Sequence, residues 1–145
     1  KRSLPKVEIP PEPMDPAPDF LDDIGKAEWE RKTKMLDALG VLHNLDHATL
    51  ALWCATYSRA VRAEQTLRQL EEQGGTLAGL LVKQKYGYAP SPLTRIVAHC
   101  VGLLNAMAPN FYFNPVSRVK LENSEGALSP KKGSKFEGLI GKDGK

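Results

Sequence analysis

His43 and His47 stand four residues apart with Asp46 between them, a spacing at which two imidazoles on one helical face can share a divalent metal. A third and fourth ligand are missing from the neighbourhood, so helix capping and surface hydrogen bonding account for these side chains better than a metal does. Asp22, Asp23, Glu28 and Glu30 have the carboxylate density of a Mg²⁺-dependent nuclease. They fall, however, in the first turns of a predicted helix, where the positive pole of the helix dipole favours acids without any metal. His99 and Cys100 are the components of a nucleophile and its base, but adjacent residues on a helix point about 100° apart and cannot pair. Gly133 and Gly138 have the spacing of a phosphate-binding loop and are followed by Leu139 and Ile140 instead of Lys and a hydroxyl residue. These residues predict no enzyme, no cofactor and no metal.

The elements that position them are mainly helical. Residues 1–19 are Pro-rich and read as an extended arm. A first helix starts near Asp22, an N-cap type, carries Trp29, Leu36 and Leu39 at helical spacing with Ile24 and Met35 flanking them, and stops at Gly40. A short connector leads to a second helix capped by His43 or Asn44 and running to about Gln73, a rod on the order of 45 Å. Its seam through Leu50, Trp53, Tyr57 and Ala60 turns polar at Glu64, so the distal half is expected to project from the core, supported by Glu64–Arg68 and Arg68–Glu72 pairs, or to pack on a neighbouring subunit. After Gly74 and Gly75, the β-favouring segments 80–82 and 86–88 predict a short hairpin or extended loop with Lys83 and Lys85 at its tip. Ser91–Pro92 opens a third helix, ended by Pro109, whose apolar face (Leu93, Ile96, Val97, Cys100, Val101, Leu104, Met107) is broad enough to be largely buried. The chain thus divides into an arm (1–19), a helical hairpin resembling a helix-turn-helix (20–73), a loop or hairpin with a third helix (74–113), and a flexible basic tail (114–145).

At 145 residues, 41% hydrophobic and 26% charged, the composition is that of a soluble, ordered chain and excludes a collagen-like or disulfide-rich one. No stretch is expected to reach the roughly 20 apolar residues of a membrane helix. Cys54 and Cys100 each lie in an apolar helical pattern and read as buried reduced thiols. With no secretory signal, the expected compartment is cytoplasmic. The net charge of +3 conceals a polarity, because residues 1–73 sum to −3 and residues 74–145 to +6. Residues 74–121 contain no acid while holding Lys83, Lys85, Arg95, Arg118 and Lys120, so this stretch can face a polyanion without internal competition.

Several segments, in their order and spacing, resemble the small subunit of the terminase of tailed double-stranded DNA bacteriophages. They are Leu21-Asp22, Gly25-Lys26-Ala27-Glu28-Trp29, Leu39-Gly40-Val41-Leu42, Asp46 with Leu50-Ala51-Leu52, Tyr57, Gly74-Gly75, Ser91-Pro92-Leu93 with Arg95-Ile96, and the run from Asn114 to Leu121. The resemblance covers about residues 10–121, with His43 in place of the usual hydroxyl or acidic cap and Phe111-Tyr112-Phe113 in place of a plainer linker.

What the resemblance implies is a non-catalytic packaging factor that assembles as a homo-oligomeric ring, binds the packaging site on double-stranded viral DNA, and recruits the large terminase subunit, which supplies ATPase and nuclease. Such a protein works in the host cell cytoplasm, outside the mature virion, with no membrane partner. Contacts to DNA phosphates are expected from Lys26, Arg31, Lys32 and Lys34 on the first helix, with Lys83, Lys85, Arg118, Lys120, Lys131, Lys132 and Lys135. Ring or core contacts are expected from Trp53, Tyr57, Val61 and Leu67 on the second helix, with Leu104 and Met107 on the third. Two other readings use the same residues: a helical protein-interaction adaptor without DNA binding, and, more remotely, a metal-dependent nuclease built on Asp22, Asp23 and the histidines.

Overall fold

A computed structural model describes residues 13–126, and the chain divides into two compact units after Met107. The first unit is organised around one long helix. Helix α1 (Asp23–Ala38) and helix α2 (His47–Gly74) form a hairpin, followed by the short α3 (Thr76–Leu80), strands β1 (Leu81–Gln84) and β2 (Gly87–Pro90), and α4 (Pro92–Met107). Helices α1, α3 and α4 all pack against α2.

Local signals set the helix ends. The Asp22 carboxylate accepts the Gly25 amide at 2.9 Å and caps α1. Gly40, at φ +67°, takes the left-handed turn that ends it. His43 does act as a cap, its Nδ1 accepting the Leu45 amide, but for a single 3₁₀ turn (Asn44–Asp46) that precedes α2. Pro92 begins α4, with the Ser91 hydroxyl accepting the Leu93 amide at 3.3 Å.

Trp29 and Leu36 of α1 are buried together with Leu50, Ala51, Trp53 and Cys54 of α2. The distal half of α2 does not project freely from the core, one of the two arrangements expected from its polar seam, because Ala60, Ala63 and Leu67 are buried as well. The reason is α3, which doubles back onto this half. A Cβ on Gly79 would sit 2.7 Å from the Leu67 carbonyl oxygen, so only glycine allows the approach. The Arg68–Glu72 pair forms on the outer side, at 3.2 Å.

The hairpin is antiparallel, with Leu81 opposite Pro90 and Lys83 opposite Tyr88. Lys85 therefore lies in the turn, whereas Lys83 belongs to the strand and not to the tip. Helix α4 departs further from expectation. Of its broad apolar face only Cys100 is fully buried, and Val101 is 45% exposed. A wide apolar face needs a neighbour on both flanks, and within this unit α4 has chiefly α2.

By length and composition Pro92–Leu121 reaches the range of a membrane-spanning segment, through an 18-residue window of mean hydropathy 1.2, which corrects the expectation that no stretch does. The α-helix itself is 16 residues, about 24 Å at 1.5 Å per residue, and gives way to a 3₁₀ turn at Ala108–Phe111.

The second unit begins with that turn. Phe111 and Phe113 stack with centroids 5.3 Å apart, and Tyr112 between them adopts a positive φ of 56°. Residues 115–126, expected within the flexible tail, form helix α5 (Pro115–Gly126). The Asn114 side chain accepts the Ser117 amide at 2.7 Å, and the Arg118 guanidinium donates to the Tyr112 carbonyl at 3.2 Å. The rest of the predicted tail, with Lys131, Lys132 and Lys135, lies outside the described residues, as do residues 1–12 of the arm.

Candidate DNA and assembly surfaces

Apart from the exposed Asp23 in the first turn, the charged residues of α1 sort into two sets. Glu28 is buried, accepts from Arg31 Nε at 2.8 Å and Nη2 at 2.9 Å and from the Trp53 indole Nε1–H at 3.3 Å, and forms an ion pair with Lys32 Nζ at 3.8 Å. Lys32 is only 7% exposed, and its ammonium lies 5.3 Å from the centre of the Trp53 ring. Burial pushes the Lys32 pKa down, with Glu28 opposing the shift. Lys32 thus differs from its expected role on a DNA-facing surface, because its side chain turns inward to the Glu28 carboxylate. Arg31 is half committed to the same carboxylate. Trp53, expected at a ring or core contact, is a core residue whose indole is used by Glu28. The neighbouring Cys54 thiol is pushed up to about 12, chiefly by burial, and is inert as a nucleophile at neutral pH.

The second set is the solvent stripe Lys26, Glu30, Lys34 and Asp37, spaced by four, four and three residues and all exposed. Its signs alternate, so its field on a phosphate is weak.

Of the acids and histidines considered as metal ligands, Asp22, Glu28, His43 and His47 have other partners. Asp22 accepts from the Ser58 hydroxyl at 2.6 Å and lies 3.3 Å from Arg62 Nε, tying the start of α1 to the middle of α2. His47 meets Trp29 edge to face at 5.0 Å, and its Nε2 lies 3.0 Å from the Pro16 carbonyl. Asp15 and Asn44 exchange two hydrogen bonds, which fastens the end of the arm to the 3₁₀ turn that precedes α2. Among the described residues no cluster of His, Cys, Asp and Glu has the form of a metal site.

The Ser58 hydroxyl, followed by the Gly25 amide, holds the Asp22 carboxyl below its ordinary 3.8. A depressed carboxylate adds stability above the unfolded pKa, and that stability is lost as pH falls through the folded value. Asp22→Asn keeps a capping side chain and removes the charge. Its deficit against the unmodified chain in urea denaturation is expected to be present at pH 6 and to shrink below about pH 3.8. A deficit that stays constant down to pH 3 contradicts this assignment.

The acid-free elements are different in kind. On the hairpin Lys83 and Lys85 are exposed, with Lys85 Nζ 5.1 Å from the Tyr86 ring centre and Tyr86 89% exposed. Lys120 is exposed on α5 of the second unit.

Between α2 and α4 lies an open groove of about 810 Å³. Tyr57, Val61, Leu67 and Leu104, four of the six residues expected in ring or core contacts, line it. Leu67 lies at its base and is 6% exposed, while Met107 is half-buried and stands outside it. Val97 and Val101 also line the groove. Sequence reasoning placed both on the apolar face of the helix but assigned them to an internal core. Apolar breadth was the signal, and what it lacked was the number of neighbours available to cover it.

No curated protein and no solved structure gives a significant match to this chain. A family model described as phage terminase, small subunit, matches residues 25–127, from the first turn of α1 to just past the end of α5. With its helical core spanned almost whole by that match, the chain belongs to the family of phage terminase small subunits, which serves the packaging of phage DNA.

Proposed function

We propose that this protein is the ring-forming, DNA-binding member of the packaging machine, which engages double-stranded viral DNA and recruits the large terminase subunit in the host cell cytoplasm. ATP hydrolysis and DNA cleavage belong to that partner. The observation that carries the reading is the unfilled apolar groove between α2 and α4 in a chain of this family. An isolated protomer leaves Val97, Val101 and Leu104 lining an open groove, whereas a neighbouring copy in a closed ring would fill it.

DNA contact is assigned first to Lys83 and Lys85 on the acid-free hairpin, with Arg118, Lys120, Lys131, Lys132 and Lys135 as further phosphate-neutralising groups. Lys26 and Lys34 contribute less, because Glu30 and Asp37 interleave with them. The test is a salt titration of binding to duplex DNA. Replacing Lys83 and Lys85 with Gln is expected to reduce the slope of log K against log salt by about 2, at roughly 0.9 per phosphate contact, and Lys26→Gln with Lys34→Gln by less. A slope unchanged by the hairpin pair removes it from the interface. Absence of salt-sensitive binding by the unmodified chain would favour a protein adaptor without DNA contact.

A further inference from the structure

A second cleft, of about 620 Å³, opens on the other flank of α4. Arg59 of α2 and Arg95 and His99 of α4 stand around it, and Ala89, Pro90 and Ile96 supply apolar lining. No carboxylate lines it. Among the described residues Arg31, Arg62 and Arg68 each pair with an acid, whereas neither Arg59 nor Arg95 has an ion-pair partner, and both are exposed. Arg95 and His99 are four apart on α4, so their side chains share one face and converge on the same opening from which Arg59 approaches across the helix pair.

We infer that this cleft is a docking site for an acidic peptide segment of a partner protein, one that presents an apolar side chain flanked by carboxylates. The charge calls for an anion. The concave shape and the floor of Ala89, Pro90 and Ile96 call for an apolar group beside it, and the volume is that of a pocket accepting a few side chains. A guanidinium receives a carboxylate through two parallel hydrogen bonds, so Arg59 and Arg95 would fix the peptide's register as well as attract it. The phosphate backbone of duplex DNA is a convex ridge with no apolar group to insert, and it would leave the floor uncovered. The α4 residues involved differ from Val97, Val101 and Leu104 of the first groove, so the cleft is a separate surface from the proposed assembly face.

The test begins with selection of binders from a random 12-residue peptide library on the immobilised full-length protein. The expected consensus joins at least two Asp or Glu to Leu, Ile or Phe. A fluorescein-labelled peptide of that consensus is then measured by anisotropy against unmodified protein, Arg59→Glu/Arg95→Glu and Arg59→Lys/Arg95→Lys. Charge reversal is expected to weaken binding at least tenfold and the lysine pair to weaken it less, with circular dichroism, native mass and affinity for a 30-base-pair duplex unchanged. The inference is overturned if no acidic and apolar consensus emerges, or if the peptide binds the reversed variant equally well. It is also overturned if reversal weakens duplex binding more than peptide binding, which would make the cleft a DNA contact, or changes the native mass, which would make it a contact between copies.

Discussion

Glu28→Ala is expected to destabilise the first unit by about 3–5 kcal/mol, the usual cost of removing one member of a buried ion pair. Glu28 is 3% exposed and satisfies Lys32, Arg31 and the Trp53 indole at once. Without it the Lys32 ammonium is left in a site that already lowers its pKa, and the Trp53 N–H loses the acceptor it has here. Arg31, whose side chain is 56% exposed, turns to water and adds little. The double replacement Glu28→Leu/Lys32→Met separates charge from packing, because removing both partners in favour of apolar groups is commonly neutral or stabilising. Urea denaturation followed by circular dichroism should show a large loss for the single variant and recovery of most of it in the double. A loss below about 1 kcal/mol for Glu28→Ala would mean that Lys32 and Trp53 do not depend on this carboxylate.

The second large effect concerns assembly. Val101→Asp combined with Leu104→Asp places two carboxylates in the groove between α2 and α4. Val101 is 45% exposed in the single chain, so its replacement costs the protomer little, whereas burial of the same carboxylate against a neighbour is strongly unfavourable. At about 2–4 kcal/mol per interface, association weakens roughly 30- to 700-fold, and the chain is expected to run as a monomer with its helicity retained. Leu67 is unsuited to this experiment. At 6% exposure it sits beneath the groove against the fold of α3, and an aspartate there unfolds the protomer before it reports on assembly. An oligomer that survives Val101→Asp/Leu104→Asp places the contact between copies elsewhere.

What the sequence made legible was local. Asp22, Gly40 and the Ser91–Pro92 pair mark helix ends through hydrogen bonds and backbone angles that their own residue types dictate. The same logic was available for Asn114–Pro115, whose cap and first-turn proline open α5, but the polar, Lys-rich composition that follows concealed it. Lys32 was misplaced because nearness in sequence and like charge group it with Arg31 and Lys34, whereas helical spacing sets it one turn from Glu28. Trp53, more than twenty residues away, meets both the ammonium and the Glu28 carboxylate, a contact that sequence spacing does not reveal. Helix α4 shows a related limit. The width of an apolar face tells how much must be covered, not whether the chain itself supplies the cover. The Ser58–Asp22–Arg62 tie and the Arg59–Arg95–His99 cleft join elements distant in sequence, so neither has a spacing to be recognised.

Native mass spectrometry of the full chain tests the central claim, that this family member assembles into a closed ring through the groove between α2 and α4. A single discrete multiple of 15.9 kDa, well above a dimer, that collapses to 15.9 kDa in Val101→Asp/Leu104→Asp is the predicted result. A unmodified chain found only as a 15.9 kDa monomer at micromolar concentration would contradict it.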